Sequence, residues 1–138
     1  MVTSSPPAPG TGDPSPLVLV VDDDRTNRKL ARDVLRRGGL RTIEAASGGE
    51  AIRVARELLP DVILLDLGLP DIDGRDVARA LRDDALTAAI PVVALSGLRQ
   101  VDDGKRLLAE GFRGYLEKPI DVEAFPAQVR AFCAPPGP

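Results

Sequence analysis

Three consecutive aspartates, Asp22, Asp23 and Asp24, stand at the end of the apolar run Leu17-Val18-Leu19-Val20-Val21, and the apolar run Val62-Ile63-Leu64-Leu65 also ends on an acid, Asp66. Ligands of an open parallel α/β sheet bind outside the carboxyl ends of its strands, so acids placed there converge on one site. Converging carboxylates repel one another unless a cation lies between them. A hard divalent cation relieves that repulsion, and Mg²⁺ suits the set because it takes oxygen ligands and keeps several waters for an incoming phosphate. Two further strand ends carry groups that a phosphate needs. Pro91-Val92-Val93-Ala94-Leu95 runs into Ser96-Gly97, a hydroxyl followed by a residue with no side chain in the way. Gly114-Tyr115-Leu116-Glu117 runs into Lys118-Pro119, whose ammonium meets an anion as a point charge.

These groups need a frame of strands and helices. Continuous apolar runs at 17–21, 62–65 and 92–95 read as strands covered on both faces, whereas Arg41-Thr42-Ile43-Glu44-Ala45 alternates in polarity and belongs at an edge. Helical patterns lie between them, the signature of βαβ units and a parallel sheet. Leu30, Val34 and Leu35 form the stripe of a first helix ended by Gly38-Gly39. Ser47 and Glu50 form a capping box for a second, which carries Ile52, Ala55 and Leu58 and is stopped by Pro60. A third starts at Asp73-Gly74 and buries Val77, Ala80 and Leu81. The fourth, around Val101 to Glu110, contains Gly104, which costs about 1 kcal/mol relative to alanine and suits a segment that moves.

Length and composition agree with one such domain. The chain has 138 residues, enough to bury a single core without disulfides, and its lone cysteine, Cys133, excludes an internal one and suits a reducing compartment. A formal charge of -3 disfavours nucleic acid and anionic lipid as direct partners. No Lys or Arg precedes Arg25 and no long apolar block is present, so neither a signal peptide nor a membrane span is expected, and a cytoplasmic location follows. Residues 1–15, rich in Pro, Ser, Gly and Thr, and residues 134–138 read as disordered tails around a domain at 16–133.

Strand ends that offer Asp/Asp, Asp, Ser and Lys in that order resemble the receiver domain of two-component response regulators, across about residues 17–132. Val20-Val21-Asp22-Asp23-Asp24 resembles the family's acidic pair, and Leu65-Asp66-Leu67-Gly68-Leu69-Pro70 with Asp71-Ile72-Asp73-Gly74 resembles the phosphoacceptor segment. Ala94-Leu95-Ser96-Gly97 is similar to the switch Ser/Thr segment, and Tyr115-Leu116-Glu117-Lys118-Pro119 to the segment with the switch aromatic and the lysine. Paired aspartates or a Lys-Pro pair are common singly; their joint order is not. The resemblance implies a single (βα)5 flavodoxin-like, doubly wound domain with a parallel sheet of order 2-1-3-4-5. It implies Asp66 as phosphoacceptor, Asp23 as a direct Mg²⁺ ligand, Asp22 acting mainly through a bound water, and the backbone carbonyl of Gly68 as a further ligand. By the same resemblance Lys118 and the metal neutralise the phosphoryl oxygens, Ser96 then hydrogen-bonds one of them, and Tyr115 rotates into the vacated space. The surface of the fourth helix, fifth strand and fifth helix changes and is read by a downstream target protein; a homodimer through it is compatible. Phosphate is expected from a sensor histidine kinase, a His-phosphotransfer protein or a small phosphodonor. A cis Lys118-Pro119 bond is implied too.

Several residues have plainer roles. Asp24 favours the N-cap of the first helix over metal ligation, and Asp71 and Asp73 favour a turn and the next helix start. Ser96 alone would be a loop serine and Tyr115 alone an edge-strand aromatic. Glu117 and Arg99 read as solvated surface, Phe112, Phe125 and Phe132 as core, and Pro126 as an irregular first turn. Gly68 and Leu98, two residues after Asp66 and Ser96, cannot orient water by side-chain hydrogen bonding, which predicts an aspartyl phosphate of intermediate lifetime. The chain has no histidine, so it is not itself a His-phosphotransfer or kinase dimerisation domain, and no nucleotide-binding Gly-rich loop is present. Two alternatives stand beside a receiver. A Mg²⁺-dependent phosphohydrolase is disfavoured because Gly68 leaves no second carboxylate for acid/base work, and a degenerate receiver that only binds partners is disfavoured because Asp22, Asp23, Asp66, Ser96 and Lys118 are all present. Turnover of an external substrate is not expected.

Overall fold

The computed structural model describes residues 15–97 and 101–133, and of 101–104 the backbone alone. The tail expectations at 1–14 and 134–138, and the readings of Leu98 and Arg99, lie outside the described residues. The elements alternate as β1 (Leu17–Val21), α1 (Arg25–Arg37), β2 (Arg41–Ala45), α2 (Gly48–Leu58), β3 (Val62–Asp66), α3 (Gly74–Asp83), β4 (Val92–Ser96), α4 (Val101–Ala109), β5 (Gly114–Glu117) and α5 (Phe125–Phe132). The strands form one parallel sheet in the order β2-β1-β3-β4-β5, the expected doubly wound topology, with β2 at an edge.

Alternate strand residues feed two cores because successive side chains point to opposite faces. Val18, Val20, Leu64 and Val93 meet Val34 and Leu35 of α1 and Phe125 and Val129 of α5. Leu19, Val21, Ile63 and Leu65 meet Ala51 and Ala55 of α2, Val77 and Leu81 of α3, and Leu107 of α4. Two glycines are set by close approach. A Cβ on Gly38 would stand 2.4 Å from Pro126 Cβ, where α5 crosses the end of α1, and one on Gly114 would stand 2.5 Å from the ring of Phe132.

Helix ends follow local chemistry. Asp24 Oδ1 accepts from the N–H groups of Thr26 and Asn27, as expected of the α1 N-cap. Ser47 Oγ accepts from Glu50 N–H at 3.1 Å, while Glu50 Oε1 accepts from Ala46 N–H, one residue further out than in the usual box. Leu59 ends α2 in the left-handed region at φ 46, and Asp73 caps α3 through Arg75 N–H. Pro126 lies in the first turn of α5, which has no side-chain cap.

Three stripes differ from expectation. Leu30 is 45% exposed, and Ala31 takes its place beside Val34 and Leu35. Leu58 is 38% exposed and Ile52 half-buried, so α2 packs through Gly48, Ala51 and Ala55. On α3 Ala78 is buried with Val77 and Leu81, while Ala80 is exposed. The cause is shared: at about 100° per residue a helix has room in its contact face for some of its apolar positions, and the approach angle of the sheet selects them. Phe112 and Phe125 are buried as expected, and Phe132 is half-buried against Gly114.

Candidate functional site

Parallel register brings the acids together. Val21 stands opposite Leu65, so Asp22, Asp23 and Asp66 emerge from adjacent strand ends, with ligand oxygens all within 4.8 Å of one another. Asp22 is buried, Asp66 half-buried and Asp23 exposed, so the cluster opens to solvent on one side. Backbone groups hold each inner carboxylate. Asp22 Oδ1 accepts from Asp24 N–H at 2.9 Å, and Asp66 Oδ1 accepts from Gly68 N–H at 3.0 Å.

Lys118 closes the cluster from β5. Its Nζ lies 3.0 Å from Asp22 Oδ2 and 3.1 Å from Asp66 Oδ2, bridging β1 and β3 across the intervening space. Burial alone disfavours that ammonium; the Asp22 hydrogen bond, the Asp66 charge and the Asp22 charge outweigh it and hold the pKa above the ordinary lysine value. The Lys118-Pro119 peptide bond is cis, as expected. Ser96 is the last residue of β4, opposite Glu117, and its carbonyl accepts from Lys118 N–H at 2.8 Å, which ties the hydroxyl-bearing strand end to the lysine. Tyr115 is not brought to the acids: it pairs with Ala94 further down the sheet and is 40% exposed.

Three carboxylates against one ammonium leave uncompensated negative charge, and all the donors are hard oxygens. That set fits a divalent cation such as Mg²⁺, and the exposed Asp23 leaves room for the waters such an ion retains. Gly68 leaves space as well, since a Cβ there would stand 3.7 Å from Asp66 Oδ1, an ordinary contact.

Two supporting arginines escaped sequence reasoning. Arg28 donates from Nη1 to the Asp22 carbonyl at 2.8 Å and from Nε to Glu44 Oε1 at 3.3 Å, and Arg32 holds the other Glu44 oxygen at 3.2 Å. Asp71, expected with Asp73 at the turn before α3, also reaches the start of α2 and accepts from Gly48 and Gly49 N–H, while Asp73 alone caps α3. Partners 16 and 23 residues away leave no local signal. Beside the acids a cavity of about 200 Å³ opens between Leu30, Ala31, Pro119 and Ile120, with Asp22 and Lys118 also in its lining.

A model of the response regulator receiver domain matches residues 18–130. The polar-differentiation response regulator DivK of Brucella ovis is 37% identical over 115 residues, which span 83% of this chain and 94% of that protein. Among solved structures, the chemotaxis response regulator CheY4 of Vibrio cholerae aligns with a TM-score of 0.80 at 26% identity, over 86% of this chain and 98% of that one. The receiver domain of Francisella response regulator 1452 aligns with a TM-score of 0.79 at 29% identity, over 86% and 96%. Among the described residues no helix is long and apolar enough to cross a membrane. Family match, sheet order and acidic strand ends coincide, and the chain belongs to the response regulator receiver domain family, whose members serve two-component signalling.

Proposed function

We propose that Asp66 accepts a phosphoryl group and that the resulting aspartyl phosphate switches a protein-interaction surface. The observation that carries this reading is the bridge of Lys118 Nζ between Asp22 and Asp66, within a three-carboxylate cluster. In the transfer, an Asp66 carboxylate oxygen forms a bond to phosphorus while the bond from phosphorus to the donor breaks, and the leaving group keeps that electron pair. The donor is the phosphohistidine of a sensor kinase or His-phosphotransfer protein, or a small acyl phosphate. Asp23, Asp66 and the Gly68 carbonyl would hold Mg²⁺ directly and Asp22 mainly through a bound water, and the ion would supply charge neutralisation at the phosphoryl oxygens.

The protein's own groups do the rest. Lys118, already 3.1 Å from Asp66, meets a phosphoryl oxygen with little movement, so its stabilisation is prepared before the reaction. Positioning and charge are most of what a loose phosphoryl-transfer transition state requires. Ser96 then donates its hydroxyl to a second phosphoryl oxygen and draws its loop inward. Tyr115, exposed on β5, turns into the space released. The new charge-assisted bonds bias an existing two-state element, and the surface of α4, β5 and α5 presents the change to a target protein or to a second copy. A phosphodonor protein has an apolar landing beside the acids in the cavity that Leu30 and Ile120 line. The reading places the chain in the cytoplasm, with no direct contact to nucleic acid or membrane.

The test is the intact mass of wild type and Asp66→Asn after incubation with acetyl phosphate, with and without Mg²⁺. One phosphoryl group gained only with Mg²⁺ and only with Asp66 is the expected result. No gain by a protein that demonstrably binds Mg²⁺ would return the chain to a phosphorylation-independent binding role.

A further inference from the structure

The loop that follows Asp66 carries Gly68 and reaches α3 through Asp73, and a residue outside the acid cluster holds it. Asp71 extends to the first residues of α2, where its Oδ1 accepts from Gly48 N–H at 2.9 Å and its Oδ2 from Gly49 N–H at 3.1 Å. These amides belong to a first helical turn and have no partner within the helix. The Gly48 and Gly49 hydrogen bonds hold the Asp71 carboxyl below its ordinary pKa, because both favour the charged acceptor.

The surrounding packing leaves the loop little freedom. A Cβ on Gly48 would stand 2.8 Å from Val77 Cγ2 and 3.1 Å from Ile72 Cβ, so the start of α2 presses directly on the loop's second half. A Cβ on Gly74 would stand 2.9 Å from Leu67 Cα, so the loop's exit presses on its entrance. Leu69, in the same loop, is buried in the core. At the reactive end, Gly68 N–H donates to Asp66 Oδ1 at 3.0 Å. The loop therefore runs from a bond on the Asp66 carboxylate to a bidentate clamp on a different helix.

We propose that Asp71 is a positioning residue for the Asp66 site: by clamping the loop to α2 it places Gly68, whose N–H orients Asp66 and whose carbonyl serves the metal. This inference rests on the proposed function, and it has a built-in control. Ser47→Ala removes another cap from the same turn of α2 without touching the loop. Asp71→Ala and Ser47→Ala should both lower Tm, by about 4 °C each. Only Asp71→Ala should weaken Mg²⁺ binding in calorimetry, by about tenfold, with Ser47→Ala within about twofold of wild type. Phosphoryl uptake from acetyl phosphate at limiting Mg²⁺ should fall with it. Asp71→Asn keeps one acceptor oxygen and should fall between.

A further measurement needs neither metal nor phosphate. Exchange of the Gly68 amide, followed by NMR in the metal-free protein, should quicken about tenfold in Asp71→Ala and stay unchanged in Ser47→Ala. Equal behaviour of the two variants in Mg²⁺ affinity and in exchange would overturn the inference and reduce Asp71 to a second helix cap. Faster exchange with unchanged Mg²⁺ affinity would overturn it too, since the site would then not depend on the loop. In a wild type that binds no Mg²⁺ the proposed function fails, and Gly68 exchange alone then decides whether Asp71 sets the loop around Asp66.

Discussion

Strands β1 and β3 and the outer side of β5 belong to one sheet, yet they lie at opposite extremes of burial. Every residue of β1 is buried, and β3 is buried up to Asp66. Strand β5 alternates, leaving Tyr115 exposed, and Leu108 of α4 and Val122 before α5 are exposed near it in sequence. The difference divides the labour. Reacting groups issue from interior strands whose backbones are fixed by neighbours on both sides, whereas the residue proposed to report the reaction stands on an edge where moving it disturbs little packing.

The largest expected effect contrasts two aromatics of that side of the sheet. Phe125→Ala empties a fully buried position and should cost about 3–5 kcal/mol in urea unfolding, while Tyr115→Ala should cost less than about 1 kcal/mol and yet abolish the response of the surface to phosphorylation. A large loss of stability in Tyr115→Ala would break the comparison, because the edge would then be part of the core.

Lys118 links the two regions, with its backbone continuing β5 and its ammonium on the acids of β1 and β3. Lys118→Met should slow phosphoryl uptake by about 100-fold, the scale for one preorganised charged donor, while Mg²⁺ binding persists. Stopped mass measurements over time would read the rate. The same residue makes a pH prediction. Its folded pKa is raised, so its contribution to stability is complete below the unfolded value near 10.5 and is lost as pH rises through the higher folded value. The difference in Tm between wild type and Lys118→Met should therefore stay level from neutral pH to about pH 10 and shrink only above it. A difference that already shrinks below pH 9 would mean that the ammonium is not held by its two carboxylates.

The smallest effect concerns water at the acidic end. Gly68→Asn places an amide where the glycine offers none, and a Cβ has room there. Loss of the aspartyl phosphate should quicken by roughly fivefold, the value of about one net hydrogen bond. An unchanged lifetime would show that water orientation is not what limits hydrolysis.

Strand ends were legible because both signals are local: an apolar run long enough to be covered on both faces, and an acid, hydroxyl or amine directly after it. Asp22, Asp66, Ser96 and Lys118 could each be picked by that rule, and the caps at Asp24, Ser47 and Asp73 by the neighbouring amides they satisfy. Leu30, Leu58 and Ala80 were misplaced because hydropathy ranks a residue without knowing the direction from which the sheet approaches its helix. The reach of Asp71 to α2 and the pairing of Arg28 with Glu44 were missed because the partners lie 23 and 16 residues away. By itself, then, the sequence determined the order of elements, the chemistry at each strand end and the family to which they point. Only the tertiary structure decided that one ammonium spans two carboxylates, which apolar residues are left outside, and which acid steadies the loop after Asp66. Those are distances between segments remote in the chain, and they exist only once the sheet has brought the segments together.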